Sequence, residues 1–198
     1  PGGIGSEELT DISNTLDVKL IKYSKAGKKQ TFDLEVGIDH YTSASSDKID
    51  MQANSSASSA DNRFYPSLSY TVENEAKGNT LGVGLSSSTE FDYQSFGANI
   101  SYAKKTKDRN GEFSARFQAF LDQVKIIKPL ELRLPNEGYG TEGRNTFALS
   151  LSYSQIVNQN FQLMFLADVI TQQGYLSLPF LRVYFNDGSV HQEALPDT

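Results

Sequence analysis

Apolar residues fall on every second position through long stretches of this chain. Leu81, Val83 and Leu85 alternate with Gly82, Gly84 and Ser86, and Phe96, Ala98, Ile100 and Tyr102 alternate with Gly97, Asn99, Ser101 and Ala103. A third run sets Phe113, Ala115, Phe117, Ala119 and Leu121 against Ser114, Arg116, Gln118 and Asp122. A period of two gives a strand one greasy face and one small or polar face. Each run holds its alternation for roughly nine to eleven residues, the length of a tilted strand crossing a membrane. The pattern therefore predicts an all-β fold, a transmembrane antiparallel up-and-down β-barrel.

Five further runs repeat the motif. Leu16, Val18 and Leu20 oppose Asp17 and Lys19, while Phe32, Leu34, Val36 and Ile38 oppose Asp33, Glu35, Gly37 and Asp39; a solvated sheet would show this second pattern equally well. Phe64, Leu68, Tyr70 and Val72 form a third face, with Pro66 near the start of the strand, where a missing donor is best tolerated. Phe147, Leu149, Leu151 and Tyr153 form the seventh, and Phe161, Leu163, Phe165, Ala167 and Val169 the eighth. The segment Glu112–Lys125 also fits helical spacing through Phe113, Phe117, Phe120, Leu121 and Val124, and its context decides for strand.

The connections alternate in length. SKAGKK, ENEAKGN, KKTKDRNG and VNQN are short, whereas the Ser-rich stretch from Thr42 to Asn62, IIKPLELRLPNEGYGTEG and the segment after the eighth strand are long. The fourth and fifth strands are joined through polar extensions, with the reversal expected near Gln94 and Ser95. Short periplasmic turns and long extracellular loops have this parity, which would put Lys104, Lys105, Lys107 and Arg109 on the periplasmic side. Asn186, Asp187 and Gly188 mark a further hairpin turn.

Composition narrows the function classes. The net charge is -6 and the pI is near 4.9, so the clustered basic surface needed to bind phosphates is missing and nucleic acid is not an expected partner. No run approaches eighteen apolar residues, so a membrane-spanning helix is not predicted. Cysteine is absent, which removes disulfides and thiolate metal sites. The 10 Tyr and 12 Phe can supply interfacial girdles, although Trp, a common girdle residue, is missing. Both ends are polar and read as those of a piece of a longer chain.

YTSASSDKID (Tyr41 to Asp50), SFGANISYAKKTKDRNGEFSARFQAFLDQV (Ser95 to Val124) and YLSLPFLRVYF (Tyr175 to Phe185) resemble an uncharacterised Gram-negative outer-membrane β-barrel family, catalogued as a domain of unknown function. The likeness runs from Gly3 to Asp197. It implies residence in the outer membrane, with membrane lipid and other envelope proteins as partners. Members are longer than this chain, which implies that residues 1–198 are an incomplete single barrel domain with further strands beyond Thr198. The family brings no catalytic or binding residues.

Candidate chemistry is sparse. The two histidines, His40 and His191, fall near the extracellular rim, where a barrel hydrolase could pair His40 with Asp39, Ser43, Glu90 or Asp92; a polar strand end and an exposed loop residue explain them better, and no GxSxG or HExxH motif supports catalysis. Rim carboxylates Asp39, Glu90, Asp92 and Glu193 could gather a hard cation, but solvated loop charges explain them more simply. Asp108, Asn110 and Glu112 faintly resemble a calcium loop, for which DRNG reads as an ordinary turn. No metal or cofactor is expected, and no enzyme activity. The charges on the polar parity, Asp17, Lys19, Asp33, Glu35, Arg116 and Asp168, say more: in a wide barrel they would line a wet lumen with an acidic, cation-favouring lean, and in a narrow one they would pair across a packed interior. YLSLPFLRVYF would either fold over the mouth or extend strands above the membrane. The expected function is passage or uptake of a small solute, or a part in an envelope assembly. The alternative outside the membrane is a secreted β-sandwich for binding or adhesion, with its Phe and Leu faces buried between two sheets.

Overall fold

The computed structural model describes residues 10–42, 61–126, 128, 132, 135, 140–176 and 182–192. The period-two runs form one antiparallel sheet of eight strands: β1 (Asp11–Tyr23), β2 (Lys28–Tyr41), β3 (Asp61–Asn74), β4 (Asn79–Thr89), β5 (Tyr93–Lys105), β6 (Gly111–Ile126), β7 (Gly140–Asn158) and β8 (Phe161–Gly174). Sheet order follows chain order from β1 to β8. A separate hairpin of β9 (Arg182–Tyr184) and β10 (Val190–Gln192) turns at Asn186–Gly188, with Gly188 at φ 83°. The ambiguous segment Glu112–Lys125 lies in β6 and is paired on both sides, with β5 and with β7. That double ladder satisfies its backbone and overrides the helical spacing. There is no α-helix among the described residues, and none long and apolar enough to cross a membrane.

Register carries the sequence parity across the whole sheet. One apolar row runs Val18, Leu34, Leu68, Leu85 and Ala98, and another runs Val83, Ile100, Phe117, Leu149 and Val169. Burial is inverted relative to a water-soluble sheet. Along β4 the apolar Leu81, Val83 and Leu85 are exposed, whereas Gly82 and Gly84 between them are buried. No large side chain is fully buried among the described residues, so the sheet has no apolar core of its own.

The short turns share one end of the sheet: Ser24–Gly27, Glu75–Gly78, Thr106–Asn110 and Gln159–Asn160. Gly27 (φ 69°) and Gly78 (φ 61°) take the left-handed conformation that tight reversals require. In the third turn the Asp108 carboxylate accepts from the Thr106 hydroxyl at 2.5 Å and from the Asn110 amide at 3.3 Å. These bonds, the first above all, hold the Asp108 carboxyl below the usual carboxylate range. The folded group has the lower pKa. It therefore stabilises the turn fully above the ordinary carboxylate range, near pH ~4, and that contribution is lost as pH falls through the lowered value. An NMR titration of the Asn110 amide from neutral pH downward should give a midpoint below that of an Asp in a peptide; the peptide value would mean that the cap does not form in solution.

At the opposite end, β4 and β5 reverse at Glu90–Asp92, not near Gln94 and Ser95, which lie inside β5 opposite Thr89 and Ser88. The cause is non-local. Asp61, at the start of β3, accepts the Phe91 amide through Oδ2 at 3.1 Å, and Lys125 at the end of β6 donates to the Phe91 carbonyl at 3.0 Å. The sheet remains open: β8 does not return to pair with β1, so a closed barrel is not formed by these eight strands.

Candidate functional site on the polar face

Small side chains let the polar face pack closely on itself. A Cβ on Gly37 would lie 2.1 Å from ring atoms of Tyr65, and one on Gly97 would lie 3.0 Å from Phe120 and 2.3 Å from the Ser86 hydroxyl. Each aromatic ring thus rests against a neighbouring strand at a glycine, an arrangement that fills the gap left by the missing side chain. Tyr65 is fixed further by donating to Asp39 Oδ1 at 2.9 Å.

The six charges anticipated on this face all fall on its register. Lys19 meets Asp33 at 2.9 Å and Asp17 at 4.0 Å, and Glu35 stands opposite Asp17. All three partners of this small network are at least a quarter exposed, so its contribution to stability is small. Arg116 and Asp168 flank Ser150 from either side, and no ion pair joins them among the described residues.

Toward the long-loop end the polar face forms a hollow of about 240 Å³. Tyr65 and Phe120 bound it, Ser67, Ser86, Ser88 and Ser95 line it, and Glu35, Arg63, Glu90 and Tyr93 stand around it. Arg63 is held through its Nε, which donates to Ser88 at 3.0 Å and pairs with Glu90 at 3.4 Å, and its guanidinium lies 4.8 Å from the centre of the Tyr65 ring. Glu90 also accepts from the Tyr41 hydroxyl at 3.2 Å. Beside the hollow, Tyr93 donates to Asp122 at 2.5 Å and accepts from Arg144 at 2.9 Å. Asp122 is only 7% exposed and is the register partner of Arg144. This part-buried triad escapes sequence reading. Asp122 does stand out as an acid among the polar-face positions of β6, but only the register reveals Arg144.

The rim candidates separate. His40 shares the parity of Ile38 on the apolar side and bonds Asn62 at 2.9 Å through Nδ1, whereas Asp39 lies on the polar face, where it accepts from Ser13 and Tyr65. His191 packs edge-on to Phe185 in the small hairpin, with ring centroids 5.2 Å apart. Ser43 and Glu193 lie outside the described residues, as does most of the apolar half of YLSLPFLRVYF. The carboxylates that do converge are Glu90 and Asp92 with Asp61, within 4.8 Å of one another, but Asp61 holds the Phe91 amide and Glu90 holds Arg63. Asp108 and Asn110 are bonded to each other within their turn, while Glu112 belongs to β6, so no calcium loop is formed there.

No curated protein and no solved structure matches the chain. A family match does cover residues 26–198, most of the sheet and the hairpin beyond it, and by it this chain belongs to the family described as Protein of unknown function (DUF3570).

Proposed function

We propose that this sheet is part of the wall of a Gram-negative outer-membrane β-barrel, with its apolar face against lipid and its polar face lining a lumen that admits a small solute. The observation that carries the reading is the placing of aromatic residues on the apolar face. Strands β3, β5 and β7 each carry a Phe toward the loop end and a Tyr six positions later toward the turn end: Phe64 and Tyr70, Phe96 and Tyr102, Phe147 and Tyr153. Six residues span roughly 20 Å along a strand, on the scale of the ~25 Å apolar band between the two aromatic girdles of a membrane barrel.

The rows also slope. Tyr70 is in register with Ile100, yet the β5 ring is two residues further on, at Tyr102; Tyr102 is in turn level with Leu151, and the β7 ring is two residues further on, at Tyr153. The Phe row steps identically, from the level of Gln94 to Phe96 and from Asn145 to Phe147. One residue per strand, at ~3.4 Å along and ~4.8 Å across, inclines the strands by about 35° to the normal of the aromatic rows. Strands in closed barrels tilt by roughly 35–45°. A sandwich packing its greasy face on a second sheet has no need of two parallel, sloping girdles.

The full-length protein recovered from cell envelopes should require detergent and should change its gel mobility on boiling. A protein soluble in buffer with no such shift would sink this reading, and the exposed apolar face would then belong inside a two-sheet sandwich.

A further inference from the structure

We propose that the hollow between Tyr65 and Phe120 is a binding site for a neutral polyhydroxylated solute of monosaccharide size. The inference builds on the lumen reading above, in which this face meets the passing solute. Its volume of about 240 Å³ lies just under the ~300–1,000 Å³ of sites for drug-sized ligands. The chemistry of the lining is specific. Ser67, Ser86 and Ser95 form a floor of hydroxyls, each able to donate and accept. None of the three makes a side-chain hydrogen bond among the described residues. Glu35 and Glu90 add acceptors, and a hydroxyl donating to a carboxylate makes the stronger, charge-assisted bond.

The walls supply the complementary surface. Tyr65 bounds the hollow from β3 and Phe120 from β6, each seated at a glycine of the neighbouring strand, so both rings are pre-positioned before any ligand arrives. The C–H face of a pyranose is apolar and carries slightly positive hydrogens, which suits the negative face of an aromatic ring. Anions are disfavoured because the lining carries two carboxylates, Glu35 and Glu90, against a single cation, Arg63, which pairs with Glu90.

The test is a titration of the detergent-solubilised full-length protein with D-glucose, observed by saturation-transfer NMR, with inorganic phosphate and spermidine as charged comparators. Glucose should bind with millimolar affinity. Ser86→Leu, which fills the floor, should weaken it about tenfold or more; Glu35→Gln, which keeps size and fold, should weaken it several-fold; Ser150→Leu, on the same face but away from the hollow, should leave it unchanged. Tighter binding of spermidine or phosphate than of glucose, or glucose binding insensitive to both Ser86→Leu and Glu35→Gln, would overturn the proposal. A heat-modifiable barrel with no glucose signal would sink the site and leave the membrane reading standing. A buffer-soluble protein that binds glucose and loses it in Ser86→Leu would do the reverse.

Discussion

Replacing Ile100 with Arg should destabilise the protein refolded into lipid vesicles by about 2–4 kcal/mol, the cost of an arginine facing lipid near the bilayer midplane. The side chain is already 50% exposed and touches no buried core, so on a water-facing surface the same change should stay within ~0.5 kcal/mol. Ile100 is the informative position because it lies on the apolar face between Phe96 and Tyr102, in register with Val83 and Phe117. Ser101→Arg, one residue along and on the opposite face, is the control and should cost far less. Denaturant titration of both variants gives the difference directly. Equal, near-zero effects at the two positions would place Ile100 in water and remove the lipid-facing assignment.

Arg144→Met should be the most damaging change on the polar face, at about 1–3 kcal/mol, because it removes the donor that the Tyr93 hydroxyl accepts while that hydroxyl holds the buried Asp122. Asp122 would keep its bond from the Tyr93 hydroxyl, but that hydroxyl would lose the Arg144 donor and Asp122 its cationic register partner. Adding Asp122→Asn to Arg144→Met removes the buried charge as well and should recover part of the loss, a coupling that a double-mutant cycle measures. A single Arg144→Met with wild-type stability would mean that Asp122 is solvated and that the triad does not bind β5, β6 and β7 together.

The strands were legible because their signal is local. Alternation such as Phe96, Ala98, Ile100, Tyr102 needs no knowledge of the partner strand, and the turns at Gly27, Gly78 and Gly188 announce themselves by residue type. What stayed hidden was set at a distance. Gln94 and Ser95 look like turn residues in isolation, but the reversal is pulled back to Glu90–Asp92 by Asp61, thirty positions earlier. The polar-face charges Lys19 and Asp33 are legible from parity, yet the Tyr93, Asp122 and Arg144 triad is not, because its members come from three strands and meet only through register. The hollow was missed for the same reason: Tyr65 and Phe120 are separated by more than fifty residues and look like ordinary strand aromatics until the strands between them are aligned.

The meandering order has a consequence for how the protein is made. Every rung of the main sheet joins a strand to the one before or after it, and five of those seven joins cross a reversal of only two to five residues. Closing such short loops carries little entropy cost, so assembly can proceed as a zipper, in the order of synthesis, with each finished strand templating its successor. At every stage the newest strand is an unpaired edge, and in the finished sheet β8 and β1 are the two edges left. Those two strands, β1 and β8, are therefore the edges at which the main sheet can add a further strand.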